Sequence, residues 1–313
     1  MRKTLLLAVV TALFLFSCKK EHTPPVKPAQ KMYKVTFDMA SGFSQTIQSL
    51  NKGKQQVNSL QLDTATTNIA AYASVIRLTV FDSNGAVVRD LLQDAVDVSN
   101  FGVVVDSLPA GTYNVLAAAG QTNLRIDGGG VIPTGVYPDI YYYIPQKLRN
   151  AWGDTFYAKL QFTVTNGPVN QNLALVRIVG KLEVDFNDVI PANASRLDIH
   201  VNDEDFVYDP NSDSPGKPDT LTYHLTIPAS VKGTNTYKVS EIVLNTTTPF
   251  NVVLTAYDSS NAVIATHNIP NVTCTKNQRT ILTGNFANPS TNSGTQFNIN
   301  VDPSWTSQNT IHY

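Results

Sequence analysis

The sequence predicts an all-β protein built from two tandem antiparallel β-sandwich domains, and three observations support this prediction. Stretches of alternating apolar and polar residues recur along the chain, turn signals separate them, and one hairpin pattern occurs twice. Charged residues make up only 15% of the 313 residues, and long windows rich in Glu, Lys, Leu and Ala are few. We therefore expect helix to be the minority state.

Strand alternation is clearest in nine stretches, which Asn-Gly, Pro-Ala-Gly, Asn-Gly-Pro and Lys-Gly-Thr turn signals separate. These stretches are residues 33–37, 75–81, 101–105, 113–118, 159–165, 181–186, 221–227, 250–257 and 297–301. A short helix is predicted over residues 45–50, where Ile47 and Leu50 are three positions apart.

The hairpin pattern that occurs twice covers residues 78–88 and residues 254–264, at a constant offset of 176. In each copy an aspartate begins the turn and can accept hydrogen bonds from the backbone ahead of it, and a later Gly or Asn tolerates left-handed dihedral angles. An apolar-Pro step follows each copy, at Leu108-Pro109 and at Ile269-Pro270. Restrictive turn chemistry alone could produce the match, but the flanks favour duplication of a sandwich domain.

We therefore divide the chain into an N-terminal β-sandwich domain at residues 31–168 and a C-terminal one at residues 169–313. The junction is predicted at Asn166-Gly167-Pro168. A chain of 313 residues is long enough for both domains to bury a core.

The first 17 residues have the pattern of an export signal. Arg2 and Lys3 precede an apolar core at residues 5–16, which is shorter than the roughly 20 residues of a membrane-spanning helix. The core ends in Leu15-Phe16-Ser17-Cys18, which resembles the lipobox of bacterial lipoproteins. This resemblance implies cleavage before Cys18 and fatty chains on its sulfur and new N-terminus. The alternative is an ordinary cleaved signal with an incidental cysteine.

Residues 18–30 contain three prolines and few apolar side chains, which predicts an extended tether between bilayer and fold. The Ser-Cys-Lys-Lys start resembles lipoproteins of Bacteroidetes, some of which face the cell exterior. We therefore expect a lipid-anchored outer-membrane protein on the exterior face. The other cysteine, Cys274, lies in an alternating stretch, where a buried core position is expected.

Charge and motifs argue against several classes of function. The formal net charge of −1 gives no field that would attract nucleic acid. The five histidines are scattered, and His200 and His224 are predicted on a solvated face of neighbouring strands. Gly128-Gly129-Gly130 lacks the context of a phosphate-binding loop. We predict a non-catalytic protein with no cofactor and no metal.

An acidic stretch contains Asp203, Glu204, Asp205, Asp209 and Asp213, with prolines close by. Carboxylates in a loop could supply calcium ligands, although the spacing does not fit an EF-hand. We interpret the stretch as a solvated acidic loop and leave calcium binding open.

Aromatic side chains concentrate in one segment between two predicted strands. The candidate binding surface consists of Tyr137, Tyr141, Tyr142, Tyr143 and Trp152. Aromatic rings on rigid loops can stack on sugars or form a protein hot spot. The alternative is that the segment packs back on its own sandwich.

Two stretches resemble the fimbrillin-like lipoproteins of Bacteroidetes, which include the FimB/Mfa2-type anchoring subunits. They are Val-Ile-Arg-Leu-Thr-Val-Phe-Asp-Ser-Asn-Gly at 75–85 and Leu-Pro-Ala-Gly-Thr-Tyr-Asn-Val-Leu-Ala-Ala-Ala at 108–119. The resemblance implies two transthyretin-like sandwiches and a role in adhesion, or as an anchor or accessory subunit of fimbriae. The implied partners are the outer membrane, fimbrial subunits and host or bacterial surface ligands.

In the polymerising members of that family, cleavage after an arginine removes an N-terminal strand. Residues 19–76 of this chain contain no arginine, which favours an anchor, tip or stand-alone protein over a shaft subunit. The alternative function is glycan capture for a polysaccharide importer, for which an exposed coplanar aromatic platform over residues 141–152 would be the distinguishing feature.

Overall fold

Strands make up most of the structure, a computed structural model that describes residues 30–41, 43, 68–126, 133, 135–142, 152–287, 297–303 and 305. The first nine strands are β1 Met32–Asp38, β2 Val75–Asp82, β3 Val87–Asp94, β4 Val103–Pro109, β5 Gly111–Gly120, β6 Leu124–Ile126, β7 Ile140–Tyr142, β8 Phe156–Val164 and β9 Val169–Asn172. The other nine are β10 Val176–Arg177, β11 Gly180–Phe186, β12 Ala194–Asp209, β13 Ser214–Thr226, β14 Lys238–Val243, β15 Phe250–Asp258, β16 Val263–Val272, β17 Arg279–Gly284 and β18 Asn298–Asp302. Two single-turn 3₁₀ helices cover Ile69–Ala71 and Ala229–Val231.

The predicted all-β class is confirmed, and each of the nine alternating stretches corresponds to a strand. The predicted helix at 45–50 lies outside the described residues. Within the described part, no helix is long and apolar enough to cross a membrane.

The N-terminal sheet pair consists of a three-stranded sheet in the order β4-β1-β9 and a five-stranded sheet in the order β10-β8-β5-β2-β3. β1 lies in the middle of the smaller sheet, antiparallel to β4 and parallel to β9. Val35 and Phe37 point from β1 into a core that also contains Leu78 and Val80 of β2. Alternation in β1 thus positions its apolar side chains between the two sheets.

The C-terminal sheet pair consists of sheets β14-β11-β17-β18 and β16-β15-β12-β7-β6, with β13 pairing to β12. Its core includes Leu182 and Val184 of β11, Ile199 of β12 and Leu254 of β15. β6 and β7 come from the chain between β5 and β8, yet they extend the larger C-terminal sheet through pairing of Ile140 with Tyr208.

The two sheet pairs share one pairing pattern. Strands β1, β2, β3, β4, β5, β8 and β9 correspond in order to β11, β12, β13, β14, β15, β16 and β17. In both pairs the first strand lies between an antiparallel fourth strand and a parallel last strand. The division into domains at residue 168 stays a prediction, and β9 and β10, which follow it, pair with β1 and β8.

The two matched hairpins are alike in detail. Asp82 Oδ1 accepts hydrogen bonds from the N–H groups two and four residues ahead, at 2.8 and 3.0 Å, and Asp258 Oδ1 does the same at 2.8 and 2.9 Å. Gly85 and Asn261 occupy equivalent left-handed positions, with φ of 81° and 64°. The predicted turn chemistry is confirmed.

The hairpins nevertheless hold different places in the fold. The first is β2–β3, whose topological counterpart is β12–β13, whereas the second is β15–β16. The flanks differ too, because Leu108-Pro109 ends β4 and Ile269-Pro270 lies inside β16. The offset of 176 therefore does not align the two sheet pairs, and turn chemistry explains this match of residues.

Replacing Gly85 by alanine is expected to lower the free energy of unfolding by about 1 kcal/mol, because an L side chain is disfavoured at positive φ. Urea denaturation of the protein without its signal and tether would measure the change. Ser83→Ala in the same turn is the control and should change stability by less than about 0.5 kcal/mol. Equal losses in the two variants would contradict this account of the turn.

Candidate functional site

A third apolar cluster, the seam cluster, contains residues of both sheet pairs. Its members are Val75, Phe81, Leu116, Ala118, Leu124, Ile140, Trp152, Tyr157, Ile178, Val179, Tyr208, Ile242, Leu244 and Trp305. β2 and β5 contribute to it from the face opposite their own core, which explains why their sequences are apolar almost without interruption. Of the candidate aromatic surface, Trp152 belongs to this cluster, and Tyr137 and Tyr142 pack against it.

The candidate aromatic surface is partly built into the seam cluster. Trp152 is only 2% exposed, and its ring packs edge to face on Tyr142, with centroids 5.1 Å apart and planes at 80°. The Tyr142 hydroxyl accepts a hydrogen bond from the Gln121 N–H at 2.9 Å, and burial raises the pKa of Tyr142 to about 12. This packing favours the interpretation in which the segment folds back on its own sheets.

Two other members of the candidate surface remain partly accessible. Tyr137 and Tyr141 are half-buried, whereas Tyr143 lies outside the described residues. Asn211 fixes the Tyr137 backbone, accepting its N–H at 2.6 Å and donating to its carbonyl at 2.7 Å. The β12–β13 turn therefore holds Tyr137 in place, so any accessible aromatic surface here is preorganised.

Asp213, at the end of the β12–β13 turn, joins elements of both sheet pairs. Its Oδ1 accepts hydrogen bonds from the hydroxyls of Tyr157, on β8, at 2.5 Å, and of Tyr208, on β12. The Lys276 ammonium lies 3.3 Å from the same oxygen. Desolvation on its own would raise the pKa of Asp213. The two hydroxyls and Lys276 outweigh that effect and lower the pKa of Asp213 below its usual range.

Arg177 forms a second polar junction, almost completely buried. Its guanidinium donates to both carboxylate oxygens of Asp154, at 2.7 and 2.8 Å, and to the Asn277 side chain at 2.6 Å. The rings of Trp305 and Phe156 lie 3.9 and 4.8 Å from it. Burial raises the pKa of Asp154, and Arg177 limits that rise.

The interpretation of the acidic stretch as a solvated loop is wrong for Glu204 and Asp205, whereas Asp209 and Asp213 lie at the β12–β13 turn and Asp213 is mostly exposed. Residues 203–209 continue β12, residues 214–226 form β13, and both Glu204 and Asp205 are buried. Glu204 and Asp205 pair with β13, so their side chains are enclosed where a loop would leave them exposed. In the described part of the chain, no group of three His, Cys, Asp or Glu side chains is arranged to hold a metal ion.

Two histidines, His200 and His224, and Cys274 lie where the sequence places them. His200 and His224 are on β12 and β13, and the His224 ring is mostly exposed, with Nδ1 2.8 Å from Asp198. Cys274 is buried and has a free thiol, and burial raises its pKa to about 12. The core position predicted for Cys274 is confirmed.

Sequence reasoning missed the two polar junctions. Asp154 and Arg177 are 23 residues apart, and Asp213 and Lys276 are 63 apart. Each pair follows from the way distant strands meet, and no local spacing indicates it. A buried charge needs a partner, because burying it unpaired is costly. This argument would indicate such pairs, but it can be applied only once the burial of each residue is known.

The chain matches one sequence family and several solved structures. Residues 139–312 match DUF6562, a family of unknown function. A candidate polysaccharide-binding protein (DUF1812) from Bacteroides thetaiotaomicron superposes with a TM-score of 0.53 at 12% identity, covering 82% of this chain and 93% of that one. A candidate cell adhesion protein from Bacteroides eggerthii gives 0.51 at 10% identity, over 87% and 95%.

The fimbrial anchor protein Mfa2 from Porphyromonas gingivalis also matches, with a TM-score of 0.49 at 13% identity, over 88% of this chain and 98% of that one. No curated protein matches the chain in sequence. The two structures from Bacteroides thetaiotaomicron and Bacteroides eggerthii show that this chain shares their fold.

Proposed function

This chain belongs to DUF6562, a family of unknown function, and we propose that it is a non-catalytic lipoprotein of the fimbrillin-like type on the cell surface. It acts in adhesion, or as an anchor or accessory subunit of fimbriae. Its lipid anchor is Cys18, which lies outside the described residues, and its place is the exterior face of the outer membrane. Its partners are fimbrial subunits or surface ligands.

The observation that carries the proposal is the position of β1. This strand lies between β4 and β9 in the smaller N-terminal sheet, and its own side chains Val35 and Phe37 are fully buried. Between the signal segment and β1 the chain contains no arginine. An arginine-specific protease therefore has no site there at which to release the strand. A sheet that keeps its own central strand supports an anchor, tip or stand-alone role.

The two polar junctions support a display role as well. Arg177 donates a hydrogen bond to Asn277, and Asp213 accepts one from the Tyr157 hydroxyl, so each junction connects the two sheet pairs beside the seam cluster. Hydrogen bonds in a low-dielectric interior, such as those of the buried Arg177 guanidinium, restrict relative motion. Such a protein holds its accessible loops at fixed positions, as a contact protein requires.

Cys18→Ser is expected to move the protein from the membrane fraction to the soluble fraction. Each buried CH₂ of an acyl chain contributes about 0.8 kcal/mol, so two or three chains hold the protein essentially permanently. Cell fractionation would measure the distribution, and mass spectrometry of the N-terminal peptide would detect the lipid. Cys274→Ser, at a buried core thiol, is the matched control and should stay with the membrane. A Cys18→Ser variant that remains there would overturn the anchor.

The adhesion role needs its own test. Protease treatment of intact cells reports display, and purification of the lipidated protein with its bound partners reports fimbrial association. We expect cleavage on intact cells together with recovery of a fimbrial subunit. Cleavage without such a partner would leave the display intact and contradict the fimbrial role.

Glycan capture for a polysaccharide importer is the less favoured function. It requires coplanar, exposed aromatic rings, but the rings of Tyr142 and Trp152 are nearly perpendicular and Trp152 is buried. Loss of polysaccharide binding in a folded Tyr141→Ala variant would restore this alternative.

A further inference from the structure

β12 changes register where it leaves the C-terminal core. The pairing of β12 with β13 shifts between Val201 and Glu204, and Asp203 has a left-handed φ of 61°. Non-glycine residues adopt this conformation at a cost, and they persist in it where surrounding contacts impose it. Beyond the shift, β12 runs on to Tyr208 in the seam cluster. The bulge therefore separates the part of β12 that packs in the C-terminal core from the part that reaches the seam cluster.

Two hydrogen bonds attach the β14–β15 loop to this bulge. Glu204 Oε1 accepts the Leu244 N–H at 2.6 Å, and the Asn245 side chain donates to the Asp203 carbonyl at 2.7 Å. Asn245 also accepts the N–H of Thr248 at 3.1 Å, which shapes the rest of the loop. Leu244 itself belongs to the seam cluster, so the loop links the bulge to the seam.

The Glu204 carboxyl is fully buried, and no cation is seen beside it in the described part of the chain. Its second oxygen, Oε2, is buried and makes no hydrogen bond among the described residues, and desolvation raises the pKa of the carboxyl more than the Leu244 and Asn245 N–H groups lower it. The titratable groups that face it are Asp205 of β12, Tyr223 of β13 and Cys274 after β16, while Glu241 of β14 faces the same tyrosine. None of these groups is positively charged, so an ionised Glu204 would lack compensation.

We propose that the protonated carboxyl of Glu204 is a pin that holds the β14–β15 loop on the β12 bulge, and that loss of its proton releases the loop and loosens the seam cluster. The pin needs a neutral carboxyl, since a buried carboxylate without a counter-charge is strongly disfavoured. Release exposes the group to water, where a carboxylate is stable.

The direction of the pH dependence follows from the two pKa values. Desolvation raises the pKa of Glu204 to about 8 in the pinned state, against an ordinary value of 4.5 when it is solvated. Between these values the pinned state holds a proton that the released state has lost, so rising pH favours release. Below pH 4.5 and above about pH 8 the equilibrium no longer depends on this group.

Hydrogen exchange of the peptide containing Leu244, measured on the lipid-free protein from pH 5 to 9, would test the pin. After correction for intrinsic exchange, the protection factor should fall by up to about tenfold per pH unit between pH 5 and 8 and then level off. Glu204→Gln keeps a carbonyl acceptor for the Leu244 N–H but cannot ionise, so its protection should not change with pH. Glu241→Gln removes another buried carboxyl, the one on β14 that faces Tyr223, and should retain the fall.

Tryptophan fluorescence gives a second readout, because both tryptophans of the chain, Trp152 and Trp305, lie in the seam cluster. A red shift with rising pH is expected in the unaltered protein and in Glu241→Gln, and is absent in Glu204→Gln. Protection that does not change with pH in the unaltered protein would overturn the proposal, even if Glu204→Gln did not fold. The same fall in Glu204→Gln would overturn it as well.

Discussion

Asp154→Ala is expected to lower the free energy of unfolding by about 3–5 kcal/mol. The substitution leaves the Arg177 guanidinium buried without the carboxylate that accepts two of its hydrogen bonds. Asn277 and the rings of Trp305 and Phe156 remain around the charge but cannot neutralise it. Urea denaturation followed by circular dichroism would measure the loss.

An exposed ion pair provides the matched control for Asp154→Ala. Asp139 and Lys217 lie 3.7 Å apart and are well exposed, so Asp139→Ala should cost less than about 1 kcal/mol. The double variant Asp154→Leu, Arg177→Met removes both charges and should recover most of the loss, because it leaves no buried ion. Similar stabilities for Asp154→Ala and Asp139→Ala would show that the Arg177 junction is not desolvated as described.

Trp152→Ala is expected to lower the free energy of unfolding by about 3–5 kcal/mol, because it opens a cavity in the seam cluster beside Tyr142. Chemical denaturation would measure this change. The substitution also distinguishes the two interpretations of the aromatic segment: a core residue affects stability, whereas a ligand platform affects binding.

Val136 is the control for Trp152, since it is an exposed apolar residue of the same segment. Val136→Ala should change stability by less than about 0.5 kcal/mol. A Trp152→Ala variant with full stability and lost adhesion to cells would reverse our interpretation and return Trp152 to the binding surface.

Local patterns predicted the strands well where a strand has one face in water. The stretch at 250–257 alternates clearly, and β15 covers it. None of the nine predicted stretches covers β12, and Asp203, Glu204 and Asp205 make its second half resemble a loop. Their burial depends on a bulge and on contacts with the distant β14–β15 loop, which no local pattern contains.

The aromatic segment shows a second limit of sequence reasoning. Apolar rings near prolines fit a binding loop and a buried connection equally well, so the sequence left both open. Pairing of Ile140 with Tyr208, 68 residues away, places β7 against β12 and draws Trp152 into the seam cluster. A contact of that range is decided by the whole fold.

The internal sequence match led to the opposite error, because a local pattern was interpreted as evidence of a repeated domain. Residues 78–88 and 254–264 share their turn chemistry, yet the repeated topology pairs β2–β3 with β12–β13. Asp82 and Asp258 accept the same backbone hydrogen bonds in two hairpins that occupy different places in the fold. Similar short sequences thus mark similar turns, while the repeated fold rests on strand order.

The central position of β1 also bears on mechanical load. β1 is hydrogen-bonded to β4 on one side and to β9 on the other. Tension along a strand held on both sides stretches these bonds together, in shear, rather than peeling them apart one after another. Force applied along β1 would therefore meet the hydrogen bonds of both neighbouring strands at once, in the direction in which this strand yields least readily.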